Sequence, residues 1–192
     1  APGAPDERKI GLGTITGNTV NVSARNAILD DNGSGVANIT ANTITLSTVT
    51  GGNPGGIAIS ADVVSSGSVS ANVPVASGDG GIRIESLGAS APATLNLTDA
   101  TNTGTGDIFF RHAGNLTTNG GYTVNSTSGS VIFAADGDLT LAGGSFNAPA
   151  GLALSAGNNM TFNTNLAVNS DLILAAGGTL TANSLVYSQT GK

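Results

Sequence analysis

The residues able to do chemistry are few and widely spaced. The 192-residue chain has 12 acids, six Lys and Arg, a single histidine, His112, and no cysteine. Asp136 and Asp138 flank Gly137, and Asp30 and Asp31 are adjacent, so each pair offers carboxylate oxygens to a cation. Calcium takes about six to eight oxygens from a repeated acidic spacing, and no GGxGxD repeat is present, so no metal site is expected. His112 lacks a second type of metal ligand nearby in sequence and reads as a solvated loop histidine beside Arg111. The absence of cysteine removes thiol catalysis, disulfides and zinc-thiolate sites together. Polysaccharide cleavage needs clustered carboxylates, or a base with Arg or Lys, on one face. Here the acids are scattered and most fall among turn residues. The expectation is a chain that is not an enzyme, with no catalytic residue and no cofactor.

The elements that carry these residues are strands. Only 9% of the chain is charged, 39% is apolar and 29 residues are glycine. Asn, Ser, Thr and Gly disfavour helices through local hydrogen bonds and backbone freedom, while recurrent Val, Ile, Leu and Thr favour a pleated backbone. A repeat then sets the architecture. Val131-x-Phe133, Leu152-x-Leu154 and Leu172-x-Leu174 recur at intervals of 21 and 20. Eight residues into each unit comes a second pair, Leu139-x-Leu141, Met160-x-Phe162 and Leu180-x-Ala182. A third short segment follows near Phe146, Leu166-x-Val168 and Leu185-Val186.

Three alternating segments per unit, separated by Gly, Asn, Asp and Ser, describe a coil that turns three corners and stacks on the next. The predicted fold is all-β, a right-handed parallel β-helix with three short strands per coil and roughly 20 to 26 residues per coil. Going backwards, coils start at Ile108, Ile82 and Ile57, and the register loosens before them, with starts placed near residues 20 and 44. Turn compositions at Asp30-Asp31-Asn32-Gly33 and Gly51-Gly52-Asn53-Pro54 mark an inserted hairpin or loop. Residues 1–9 read as a tail or linker, and 10–192 as a single β-helix domain cut from a longer fibre.

Aligning the coils places side chains in columns. Asn115, Asp138, Asn159 and Thr179 fall together at a corner, so the most prominent acid has amide neighbours and belongs to a hydrogen-bonding turn ladder. Thr117, Thr140, Thr161 and Thr181 form one outward column, too narrow for the double threonine array that ice binding uses. Beside the first strand the outward column reads Arg83, Phe109, Ile132, Ala153 and Ile173. Three large apolar groups outside the core make a candidate docking stripe, and Phe109, Arg111 and Ile132 are the candidate binding residues. Six Asn-x-Ser/Thr sequons begin at Asn21, Asn38, Asn96, Asn115, Asn125 and Asn159, close to what this composition gives by chance.

The strings GDLTLAGGSF, GNLTTNGGYTV, LALSAGNNMTF and LILAAGGTLTA resemble the repeats of filamentous haemagglutinin-like adhesins of bacterial two-partner secretion. The likeness covers residues 105–187 well and the remainder by composition; Asn53-Pro54-Gly55-Gly56-Ile57 only partly echoes the family's NPNGI-type motif. It implies a secreted, cell-surface fibre that attaches to host cells and contributes to virulence. The implied partners are an outer-membrane transporter during export and a host or bacterial surface ligand, a glycan among the candidates. A carbohydrate-active or carbohydrate-binding β-helix is the alternative. The net charge of −6 argues against nucleic acid as a partner, and no apolar run is long enough to insert in a membrane as a helix.

Overall fold

Val, Ile and Leu alternating with Ser, Thr and Asn put one apolar and one polar edge on every strand, and the chain closes on itself to bury the apolar one. The computed structural model describes residues 9–25, 27–32, 36–48, 56–73, 81–87, 94–184 and 186–189. They form 18 strands, β1 to β18 in chain order, and no helix. Every strand pairing among them is parallel, and each internal strand of the two long stacks lies against its counterpart in the coil before and the coil after. The fold is a parallel β-helix.

The first face stacks β1 (Lys9–Leu12), β3 (Ala27–Asp30), the start of β5 (Ile57–Val73), β6 (Ile82–Ser86), β8 (Ile108–His112), β10 (Val131–Ala135), β13 (Leu152–Ala156) and β16 (Leu172–Ala176). The second stacks β2 (Ile15–Ala24), β4 (Ile39–Thr48), the rest of β5, β7 (Thr94–Asn102), β9 (Asn115–Ser126), β11 (Leu139–Leu141), β14 (Met160–Phe162) and β17 (Leu180–Ala182). The third face is built from the end of β9, β12 (Ser145–Asn147), β15 (Leu166–Val168) and β18 (Val186–Ser188).

One inward column runs the whole first face through Ile10, Ile28, Ile57, Ile82, Ile108, Val131, Leu152 and Leu172. Its steps are 18, 29, 25, 26, 23, 21 and 20 residues. The starts read near residues 20 and 44 are corrected by this register. Val20 pairs with Ile44 on the second face, so the 13 residues from Ile44 to Ile57 lead from one face to the next and are not a short coil. Lys9, placed in the tail by sequence, pairs with Ala27, while residues 1–8 and the glycine-rich segment 51–55 lie outside the described residues.

After β9 the second and third strands are separate, as the sequence predicts. Earlier they are fused, with register shifts at Ala41/Thr43, Val69/Ser70 and Leu97/Asp99 where the backbone bends without a turn. The core is continuous from Leu12 to Val168. Within it Phe110 meets Phe133 edge-on at 5.7 Å, Phe133 meets Phe146 at 5.7 Å, and Tyr122 meets Phe146 at 5.3 Å, tying the first and third faces through rings.

Candidate functional site

The candidate binding residues stand on the first face because β8 and β10 are five-residue strands with period two. Ile108, Phe110 and His112 point in, and Phe109 and Arg111 point out. Phe109 is the register partner of Ile132 on one side and of Arg83 on the other, and Ile132 continues to Ala153 and Ile173. The outward column therefore exists as aligned. Phe109 and Ile132 are half-buried, whereas Ile173 is 61% exposed.

Phe109 is covered by its neighbour. The Arg83 guanidinium carbon lies 4.3 Å from the ring centroid, a cation–π contact across adjacent coils. Arg83 also ion-pairs with Glu85 two residues along its own strand. Glu85 is in turn the register partner of Arg111, whose guanidinium reaches Asp136 of the following coil at 3.4 Å. Phe109, Arg111 and Ile132 are thus brought into one patch, flanked by Arg83, Glu85 and Asp136. Two cations and two anions balance, so the patch offers hydrogen-bonding groups and an aromatic ring without a net field.

Asp138 belongs to the corner between the first and second faces. Asn115 Oδ1 accepts the backbone N–H of Asp138 at 2.8 Å, Asp138 Oδ1 accepts that of Asn159 at 2.9 Å, and Asn159 Oδ1 accepts that of Thr179 at 3.0 Å. This is the turn ladder read from the alignment. Exposed amides repeat the device at other corners, Asn42 donating to Asn18, Asn147 to Asn125 and Asn183 to Asn163. The threonine column is also in register, with Thr117 Oγ1 donating to the Thr140 carbonyl.

The reading of His112 as a solvated loop residue is overturned. It is fully buried at the inward end of β8, with Nδ1 3.1 Å from the Ser86 carbonyl oxygen. Its column holds Ser86 before it and Ala135 and Ala156 after it, small residues that leave room for the ring. The strand period, continued one step beyond Phe110, is the signal that places it inside.

One sequon asparagine turns inward. Asn38 is fully buried, its amide donating to the Leu12 carbonyl at 2.6 Å and to the side-chain oxygens of Asp30 and Asn32 at 2.9 Å each. Asp30 is consumed there, while Asn115, Asn125 and Asn159 serve the ladders. Among the described residues no three His, Asp or Glu side chains gather as metal ligands.

Burial raises the pKa of two acidic groups. Burial pushes the Asp99 carboxyl up, partly offset by the Thr101 hydroxyl and the Ala100 N–H, and its register partners are Ser70 and Thr123. Burial pushes the Tyr122 phenol up to about 12 against a smaller opposing effect of Thr118. Both are explained by packing. No family model, no curated protein and no solved structure matches the chain.

Proposed function

We propose that the chain is a structural and adhesive section of a secreted bacterial surface fibre, holding a binding patch on a stiff β-helical rod. The observation that carries this reading is the unbroken first-face register from Ile10 to Leu172 with the outward group of Phe109, Arg111 and Ile132 on it. Such a rod transmits load through backbone ladders shared by every coil. In this account the chain is exported unfolded through an outer-membrane transporter and folds outside the cell, coil upon coil, without cysteine or cofactor. The resemblance of residues 105–187 to filamentous haemagglutinin-like repeats supports the same role.

The ligand we assign to the patch is a surface glycan. Paired Arg and carboxylate groups beside the half-buried Phe109 and Ile132 side chains suit a sugar, which presents an apolar face and a rim of hydroxyls. Cleavage of that sugar has less support, because Glu85 and Asp136 each pair with an arginine and Asp138 is bound to the Asn159 amide.

The test is binding of the purified chain to a glycan array and to host epithelial cells, alongside the Phe109→Ala/Arg111→Ala/Ile132→Ala variant. The expected result is retention of the wild-type chain and at least a tenfold loss in the variant. Equal binding by both, or binding by neither, overturns the assignment of the patch.

A further inference from the structure

Phe109 turns outward on the first face, and a side chain of the preceding coil lies over its ring. The Arg83 guanidinium carbon stands 4.3 Å from the ring centroid, while Glu85, two residues further along β6, holds the same guanidinium in an ion pair. The Arg83 side chain is itself 58% exposed, so solvent meets its outer side. A cation–π contact and an ion pair at so exposed a position both belong to the weak class. Glu85 also has a second cation beside it. It stands directly opposite Arg111 in the ladder, and Arg111 reaches Asp136 at a long 3.4 Å.

We propose that Arg83 is a displaceable cover on a sugar-stacking ring, and that the sugar is a neutral hexose. In the closed state Arg83 lies over Phe109 with Glu85 as its tether. In the open state Arg83 swings into solvent, Glu85 turns to Arg111, its register partner, and the bared ring takes the apolar face of the sugar. Ile132, the register partner of Phe109 on the other side, extends the apolar seat. A neutral sugar suits this seat because the two arginines and two carboxylates around it balance. The inference rests on the glycan reading of the patch and adds the ligand class and the residue that sets its affinity. Apparent affinity equals the affinity of the open patch scaled by the fraction of chains that are open. Removing Arg83 therefore strengthens binding, the opposite of what removal of an ordinary contact residue does.

The experiment uses the full chain labelled with 4-fluorophenylalanine, in which the Phe109 signal among the five phenylalanines is identified by its loss in Phe109→Leu. Retention on a β-galactosyl polyacrylamide column is measured in parallel, and circular dichroism checks that every variant keeps its strands. Arg83→Ala is expected to move the Phe109 fluorine signal toward that of a solvent-exposed ring and to raise retention about fivefold to tenfold. Glu85→Gln acts in the same direction with a smaller effect, and adding Phe109→Ala to Arg83→Ala abolishes the gain. Rising salt screens the Arg83–Glu85 pair, so it is expected to increase retention of the wild type and not of Arg83→Ala. An unmoved fluorine signal shows that Arg83 is no cover, and lower retention of Arg83→Ala shows that it is a ligand contact. Equal retention of the two chains, or retention of neither, removes the ring as the seat of a neutral sugar. Each of these results overturns the proposal. The glycan reading of the patch is decided separately by the array and the triple variant, so the two failures are distinguishable.

Discussion

Asp138 Oδ1 accepts the backbone N–H of Asn159 at 2.9 Å, one coil above it, and also receives that residue's side-chain amide at 3.2 Å. The same corner position is filled by Asn115 below and Asn159 above. A carboxylate and two amides therefore act alike, each supplying an acceptor to the coil that follows. The acid with the most catalytic appearance in the sequence is a corner fastening.

Removal of this acceptor is expected to lower stability by about 1 to 2 kcal/mol in Asp138→Ala, because the Asn159 N–H loses its partner. Asp138→Asn keeps an oxygen in place and is expected to cost less than half as much. Urea unfolding with an unchanged slope checks both; equal losses in the two variants contradict a role as acceptor.

The same substitution should have different costs along one column. Leu139 is fully buried and Leu180 is 44% exposed, although both face inward on the second face. Leu139→Ala is expected to cost about 2 to 5 kcal/mol. Leu180→Ala is expected to cost about 1 kcal/mol or less at low protein concentration, in proportion to its smaller burial. Denaturant midpoints measured side by side decide this.

Coil spacing sets a steric limit at the corners. A Cβ on Gly157 would fall on the Asp136 carbonyl oxygen, whereas one on Gly13 meets nothing within 4 Å. Gly157→Ala therefore forces two coils apart and is expected to cost about 2 kcal/mol or more, while Gly13→Ala stays within about 0.5 kcal/mol. Thermal midpoints of the two variants give the comparison.

The repeat is legible where corners carry turn residues. From residue 131 onward Asp136-Gly137, Gly157-Asn158 and Gly177-Gly178 separate the first strand from the second, and the alignment read from them coincides with the backbone register. It fails toward the N-terminus because β2, β4 and β5 run through their corners as continuous strands, so that Gly17-Asn18, Asn42 and Gly67 lie inside strands and do not punctuate the repeat as the later turn pairs do. The candidate patch is legible in its columns. Its chemistry is not: the Arg83 cover on Phe109 and the Arg111–Asp136 pair join residues 26 and 25 apart, a separation that only the coil length brings into contact. His112 shows the reverse case, where strand period alone places it inside and composition suggests otherwise.

Tyr122 gives a pH dependence. Its phenol is held up at about 12 by burial, above the ordinary 10.0. The folded chain binds this proton more tightly than the unfolded chain, so the stabilising contribution is complete below pH 10 and is lost as pH rises through 12. The stability difference between the wild type and Tyr122→Phe is expected to be constant below pH 10 and to shift against the wild type above it. A difference that stays flat through pH 12 contradicts burial of the phenol.

The stacking register itself is open to one direct measurement. The chain has no cysteine, so Arg83→Cys and Ile173→Cys introduce two unique sites for spin labels. These residues lie in one outward column, linked through Phe109, Ile132 and Ala153. Four coil steps of about 4.8 Å put their backbones about 19 Å apart, although 90 residues separate them. Double electron–electron resonance is expected to give a narrow distribution consistent with that spacing once label length is included. A broad distribution, or a maximum at several times that separation, would contradict the parallel coil stack.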